Sequence, residues 1–170
     1  LRGTYGASVG YLSPEAKKLV PGIVGFRSNE DIWDMRSDRM NLPEDASRFE
    51  FTTLHFGALR GLAASIEEML EIGIEKIWEH DLSLSGMVVQ LANARGLVVT
   101  SPTDDDQRSA IVSIRPPPEH HSAEIVRRLQ DEFGILVTDR SGMIRVSPHI
   151  DNDHSQIEFL FTSLDTILAK

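Results

Sequence analysis

The chain has 170 residues, 41% of them hydrophobic and 25% charged, with a formal net charge of −9. Such a composition describes a globular chain rather than a disordered one, and its acidic balance argues against a nucleic-acid surface, which needs clustered Lys and Arg. With no cysteine there is no disulfide and no thiolate metal site, and no apolar run reaches the roughly 18 residues of a membrane span, so a soluble cytoplasmic protein is the expectation.

Leu1 to Ser13 is rich in small residues, and Ala7-Ser8-Val9-Gly10-Tyr11-Leu12 reads as a strand whose glycines allow close backbone approach. The spacing is neither a dinucleotide fingerprint nor a phosphate loop. A start at Leu1 rather than Met reads as a piece of a longer polypeptide. Ser13-Pro14-Glu15 predicts a short helix that turns Lys17 and Lys18 to solvent. Val20 to Ser47 is broken by Pro21, Gly22, Gly25, Asn29, Asn41 and Pro43. It reads as a long surface loop with Phe26, Ile32, Trp33 and Met35 as apolar anchors, and loops of that length are usually functional. In Arg48-Phe49-Glu50-Phe51-Thr52-Thr53-Leu54-His55-Phe56, the two threonines stand before a helix. Their hydroxyls suit an N-terminal cap or a phosphate contact there. His55 reads as a surface or core residue without a catalytic role.

Ala58 to Ile72 predicts a helix, with Leu59, Leu62, Ala63, Ile66, Met69 and Leu70 on one face and Gly73 as its stop. Glu75 to Arg95 predicts a second, with Ile77, Leu84, Val88 and Leu91 as its stripe. Leu97 to Thr100 is a short strand, and the run Asp104 to Asp106 reads as a solvated turn, because it lacks the glycine and distal Glu of a calcium loop. Ala110 to Arg115 is a strand ended by three prolines. His120-His121 is a poor metal pair, since adjacent residues do not share a helix face. Ser122 to Phe133 predicts a helix stopped by Gly134, Ile135 to Thr138 a strand, and Asp139 to Gly142 a turn. This order is an α+β layer, a small and mostly antiparallel sheet covered by helices.

Met143-Ile144-Arg145-Val146 comes next as a strand, ended by Pro148. Asp153, with Gln156 three residues on, has capping-box spacing and opens a final helix that buries Ile157, Leu160, Phe161, Leu164 and Leu168. Arg145 is the odd residue. A guanidinium among apolar strand residues faces solvent, pairs with an acid of the fold, or waits for a carboxylate that its planar fork can grip.

Three stretches carry a family resemblance. Arg145-Val146-Ser147-Pro148-His149, then Asp151-Asn152, resembles the Arg-x-Ser-Pro-His-x-Tyr-Asn segment of the class V aminotransferases. These include the cysteine desulfurases, isopenicillin-epimerase-like enzymes and kynureninases. Asp151 replaces the usual Tyr and Asp153 the usual Thr. Arg48 to Phe56 resembles that family's Arg-Phe-Glu-x-Gly-Thr-x-Asn segment, with Thr52 for the usual Gly and His55 for the usual Asn. Leu1-Arg2-Gly3-Thr4-Tyr5-Gly6, leading to Val9-Gly10-Tyr11-Leu12, is similar to the stretch just after the cofactor lysine.

The resemblance implies the C-terminal part of a pyridoxal 5'-phosphate enzyme acting on a small amino acid by lyase, epimerase or aminotransferase chemistry. Kynureninase-like hydrolysis and a non-catalytic fragment that retains the fold are the alternatives. It further implies that residues 1–57 are the tail of a large cofactor domain and the dimer-interface segment, and 58–170 the small domain of the aminotransferase fold. Arg145 would bind the substrate carboxylate. Thr53, Thr52 and Gly3 would bind the cofactor, Thr53 through the phosphate held by the other subunit of a homodimer. The Schiff-base lysine would fall about two residues before Leu1. A persulfide-bearing cysteine is absent from this stretch.

Overall fold

A computed structural model describes residues 3, 5–104 and 106–169 and, of Lys17, only the backbone. Leu1, Arg2 and Thr4 of the first resemblance and Asp105 of the aspartate run lie outside the described residues. Two compact units divide the chain, Leu1–Glu71 and Ile72–Lys170.

In the first unit, three short 3-10 helices (Pro14–Lys18, Phe26–Ser28 and Ala46–Phe49) precede α1, Phe56–Ile72. The strand expected over Ala7 to Leu12 does not form. A strand needs a partner for its backbone groups, and no described residue supplies one; Val9 and Tyr11 stand exposed. Of the apolar anchors expected in the long loop, Ile32 is half-buried, but Phe26 is exposed, Trp33 is 79% exposed and Met35 67%. Polar side chains do that work. Buried Asn29 donates through Nδ2 to the Asp31 carbonyl (2.8 Å) and accepts from the Asn41 N–H (2.9 Å), and buried Ser28 donates to the Glu50 carbonyl (2.8 Å). A loop whose large apolar side chains stay exposed can still be fixed by satisfied buried polar groups. In α1, Ala58, Leu62 and Met69 are buried, whereas Leu70, expected on the same face, is exposed.

The second unit holds α2 (Ile74–Ala94), β1 (Val98–Val99), β2 (Val112–Arg115), α3 (Ser122–Phe133), β3 (Thr138–Arg140), β4 (Met143–Val146) and α4 (His154–Leu168). The strands form one antiparallel sheet in the order β1-β2-β4-β3. Val112 and Ile114 of β2 and Ile144 and Val146 of β4 point to one face and join Leu84 and Val88 of α2, Ile125 and Leu129 of α3, and Leu160, Phe161 and Leu164 of α4 in a single core. Each such side chain contributes about 1.5–3 kcal/mol relative to an exposed one. Arg95 ties the end of α2 to α4, its fork reaching both oxygens of Asp165 (2.7 and 2.8 Å) and its guanidinium stacking 5.1 Å over the Phe161 ring. Among the described residues, no helix is long and apolar enough to cross a membrane.

The third strand begins later than expected, at Thr138 rather than Ile135. The turn explains the shift. Arg140 pairs with Met143, so only Ser141 and Gly142 connect the strands, and both have positive φ (52° and 79°). Two left-handed residues in succession form the tight hairpin that matches strand twist, which draws Asp139 and Arg140 into the ladder.

The capping box forms as expected. Asp153 accepts from the Gln156 N–H (3.0 Å), and Gln156 Oε1 accepts from the Asp153 N–H (3.3 Å). The Ser155 hydroxyl and the Gln156 N–H hold the Asp153 carboxyl below its ordinary 3.8. A pKa lowered by folding stabilises above the unfolded value, and the contribution is lost as pH falls through the folded one. Asp153→Ala should therefore lower the melting temperature of the full-length protein at neutral pH. The gap from wild type should close below about pH 4, where an unfolded aspartate takes up its proton. Melting curves recorded from pH 7 to pH 2 check this.

Candidate functional site

The candidate site is built on β4. Its alternation sends Ile144 and Val146 into the core and leaves Met143 and Arg145 on the face the helices do not cover. Arg145 stands opposite Ser113 on β2 and Thr138 on β3. It is half-buried. Its Nε is fully buried and has no hydrogen-bond partner, and no described acid pairs with the guanidinium. Of the readings open from sequence, an internal ion pair is not realised among the described residues. What remains is a partly desolvated cation on a rigid central strand, with a donor left unsatisfied. Such a group is costly unless an anion completes it.

The segment after β4 is pinned. Pro148 is buried. His149 meets buried Asp81 of α2, Nδ1 to Oδ2, at 2.8 Å, and its N–H donates to Asn152 Oδ1 (3.0 Å). His80 Nε2 lies 2.9 Å from the Asn152 carbonyl, and Asn152 Nδ2 donates to Gln156 Oε1 (2.9 Å). A carboxylate facing Nδ1 fixes the proton on that nitrogen. The other Asp81 oxygen is buried without a partner. Asp151 is exposed. This lattice of polar contacts fastens the exit of β4 to α2 and α4, and so holds the strand that carries Arg145. Apolar periodicity alone passes over Asp81. The signal is present nonetheless, since Asp81 lies four residues after Ile77 and three before Leu84, on the buried stripe of its own helix.

The second stretch, in the first unit, is held by its own contacts. Arg27 reaches Glu50 Oε2 through Nε and Nη2 (3.2 and 2.9 Å), and Arg48 Nε donates to the Pro43 carbonyl (2.7 Å). Gly25 passes so near that a Cβ there would stand 2.0 Å from the Phe51 carbonyl oxygen. These contacts fix the chain just before Thr52 and Thr53. The capping role open to the threonines from sequence falls instead to His55, whose Nδ1 accepts from the Ala58 N–H (3.1 Å). Both threonines are exposed, with hydroxyls that bond to no described residue. Gly3 lies against α1, where a Cβ would meet Leu62 Cδ1 at 2.9 Å, a contact that a shift of the leucine side chain could relieve. Among the described residues, no three His, Asp or Glu side chains converge as metal ligands.

Comparison with known proteins identifies the family. The model of the family described as Aminotransferase class-V matches residues 3–160. A probable cysteine desulfurase of Pyrococcus abyssi is 26% identical over 98% of this chain and 44% of its own length. A kynureninase of Geobacillus thermodenitrificans is 25% identical over 75% of this chain and 30% of its own. The apo structure of a cysteine desulfurase from Thermococcus onnurineus superposes with a TM-score of 0.73 at 22% identity, over 88% of this chain and 39% of that one, a likeness of fold. The chain thus spans less than half the length of these relatives.

The contact between His149 and Asp81 yields a stability prediction. His149→Ala leaves a buried carboxylate with neither oxygen bonded and should cost about 1–3 kcal/mol. Asp81→Asn, whose amide oxygen can still accept from Nδ1–H, should cost less. Urea unfolding of the full-length variants orders the two.

Proposed function

Because the chain belongs to the class V aminotransferase family, whose enzymes depend on pyridoxal phosphate, we propose that it is the C-terminal part of such an enzyme, acting on a small amino acid with Arg145 as the anchor for the substrate carboxylate. The observation that carries this reading is the buried, unpaired Nε of Arg145 on the central strand. A carboxylate offers two acceptor oxygens in the plane of the guanidinium and would complete it. The Asp81–His149 and Asn152–Gln156 contacts would hold that fork in one orientation, and orientation decides which bond at the α-carbon is set to break.

The residues present also fit the cofactor. The free hydroxyls of Thr53 and Thr52, on a backbone tied down by Glu50 and Gly25, suit a phosphate. The resemblance extends this to the phosphate held by the partner subunit of a homodimer, and gives Gly3 a place near the cofactor. Pyridoxal phosphate, when bound, supplies the electron sink that loosens bonds at the substrate α-carbon. Within the family, carbon–sulfur lyase, epimerase or aminotransferase chemistry in the cytoplasm is our reading. The chain has no cysteine, so it supplies no thiol to carry sulfur. Kynureninase-like hydrolysis is the second reading, favoured by the similarity to the Geobacillus enzyme.

Two variants of the full-length protein test this. Arg145→Lys keeps the charge and loses the fork. Its kcat/KM on the best amino acid of a screen should fall about ten- to a hundredfold, the scale of a charged hydrogen bond worth about 1.5–3 kcal/mol. Cofactor content should be normal, and amino-acid amides should be poor substrates for both proteins. A variant that loses stability but works at full rate when folded would make Arg145 a structural residue. Thr53→Ala should weaken cofactor retention by about 1–2 kcal/mol, read from the cofactor absorbance on dialysis.

A further inference from the structure

Arg145 is not the only cation on the uncovered sheet face. Ser113 is its partner on β2, so Arg115, two residues on, points to the same face. On β3, Arg140 pairs with Met143 and shares that face too. Arg115 and Arg140 therefore bracket Met143, one on each side, and both are diagonal neighbours of Arg145, within reach of long side chains. Both are exposed. No described acid pairs with any of the three. The strands contain a single acid, Asp139, which points to the helix side, where it accepts from the Ser122 hydroxyl (2.7 Å).

Most other described arginines differ, although exposed Arg60 of α1 also lacks a described acid partner. Acids outnumber bases 26 to 17 in this chain, and six arginines away from this face, Arg27, Arg36, Arg39, Arg95, Arg127 and Arg128, meet carboxylates. Three guanidiniums on one small face repel one another and hold their own places only weakly in the absence of anions. A ligand with one negative group would satisfy Arg145 and leave the bracketing pair idle. A ligand with two would use both.

The geometry points to a dicarboxylic amino acid as the substrate class, its α-carboxylate on Arg145 and its side-chain carboxylate on the pair Arg115 and Arg140. This rests on the reading of Arg145 given above and goes beyond it by assigning the second anchor. Each guanidinium can take a carboxylate bidentately, and the register fixes their spacing on a rigid sheet.

The test is calorimetric and needs no turnover. Succinate, glutarate and butyrate are titrated into the full-length, cofactor-loaded protein. The better dicarboxylate should bind at least tenfold more tightly than butyrate. In the double variant Arg115→Gln/Arg140→Gln the advantage should vanish, and the single variants identify which arginine carries it. Arg127→Gln, on α3 and paired with Asp131, should keep the advantage. Equal binding of all three acids by the wild type, or a dicarboxylate preference that survives the double variant, would overturn the assignment. Butyrate binding unchanged in Arg145→Lys would overturn the reading of Arg145 itself, so the two failures are separable.

Discussion

The structure depends on one constraint, the alternation of β4. Ile144 and Val146 are needed in the core, where they meet the helices, and a strand has only two faces. Burying these two residues forces Arg145 to the opposite face. A cation that could otherwise have been drawn into surface ion pairs is set instead on an interior strand of the sheet, between two neighbouring strands. The hydrophobic effect thus positions the polar group without touching it. Few contacts to Arg145 itself are required for this, and the unsatisfied Nε is a consequence.

The two units solve the problem of order differently. The second has a core of aliphatic side chains and Phe161, closed by helices with caps and by the Arg95–Asp165 fork. The first, before α1, is nearly without such a core. Asn29 and Ser28 hold it by satisfying backbone groups and the Arg27–Glu50 pair by a side-chain bridge, while large apolar side chains such as Tyr11, Trp33 and Met35 stand exposed.

Much of this is legible in the sequence, for physical reasons that differ by element. The helices and their order follow from apolar spacing, and the Asp153 cap from one acid with Gln156 three residues on. The hairpin is legible as a turn but not in its register, because register depends on φ values at Ser141 and Gly142 that a Ser-Gly pair permits without requiring. The strand expected at Ala7 to Leu12 fails because propensity says nothing about whether a partner is present. Trp33 and Met35 fail as anchors of the long loop because size and apolarity alone do not decide burial where no core forms around them. Hydrogen-bonding capacity does. Arg145 is visible as an anomaly among apolar residues. Arg115 and Arg140 are not, since only the cross-strand pairing reveals that they share its face.

The hairpin has a consequence for how this part of the molecule can change over time. With Ser141 and Gly142 both left-handed and Arg140 already paired to Met143, the connection has no slack. A single residue inserted early in β4 would reverse the parity of the residues after it and turn Arg145 toward the helices, and a longer loop would release the strand ends that align the face. Evolution and laboratory selection are therefore left with substitution rather than insertion as the route to new ligand preferences here. The side chains at 115, 138 and 140 are the ones free to vary, while the length of the chain between them is not.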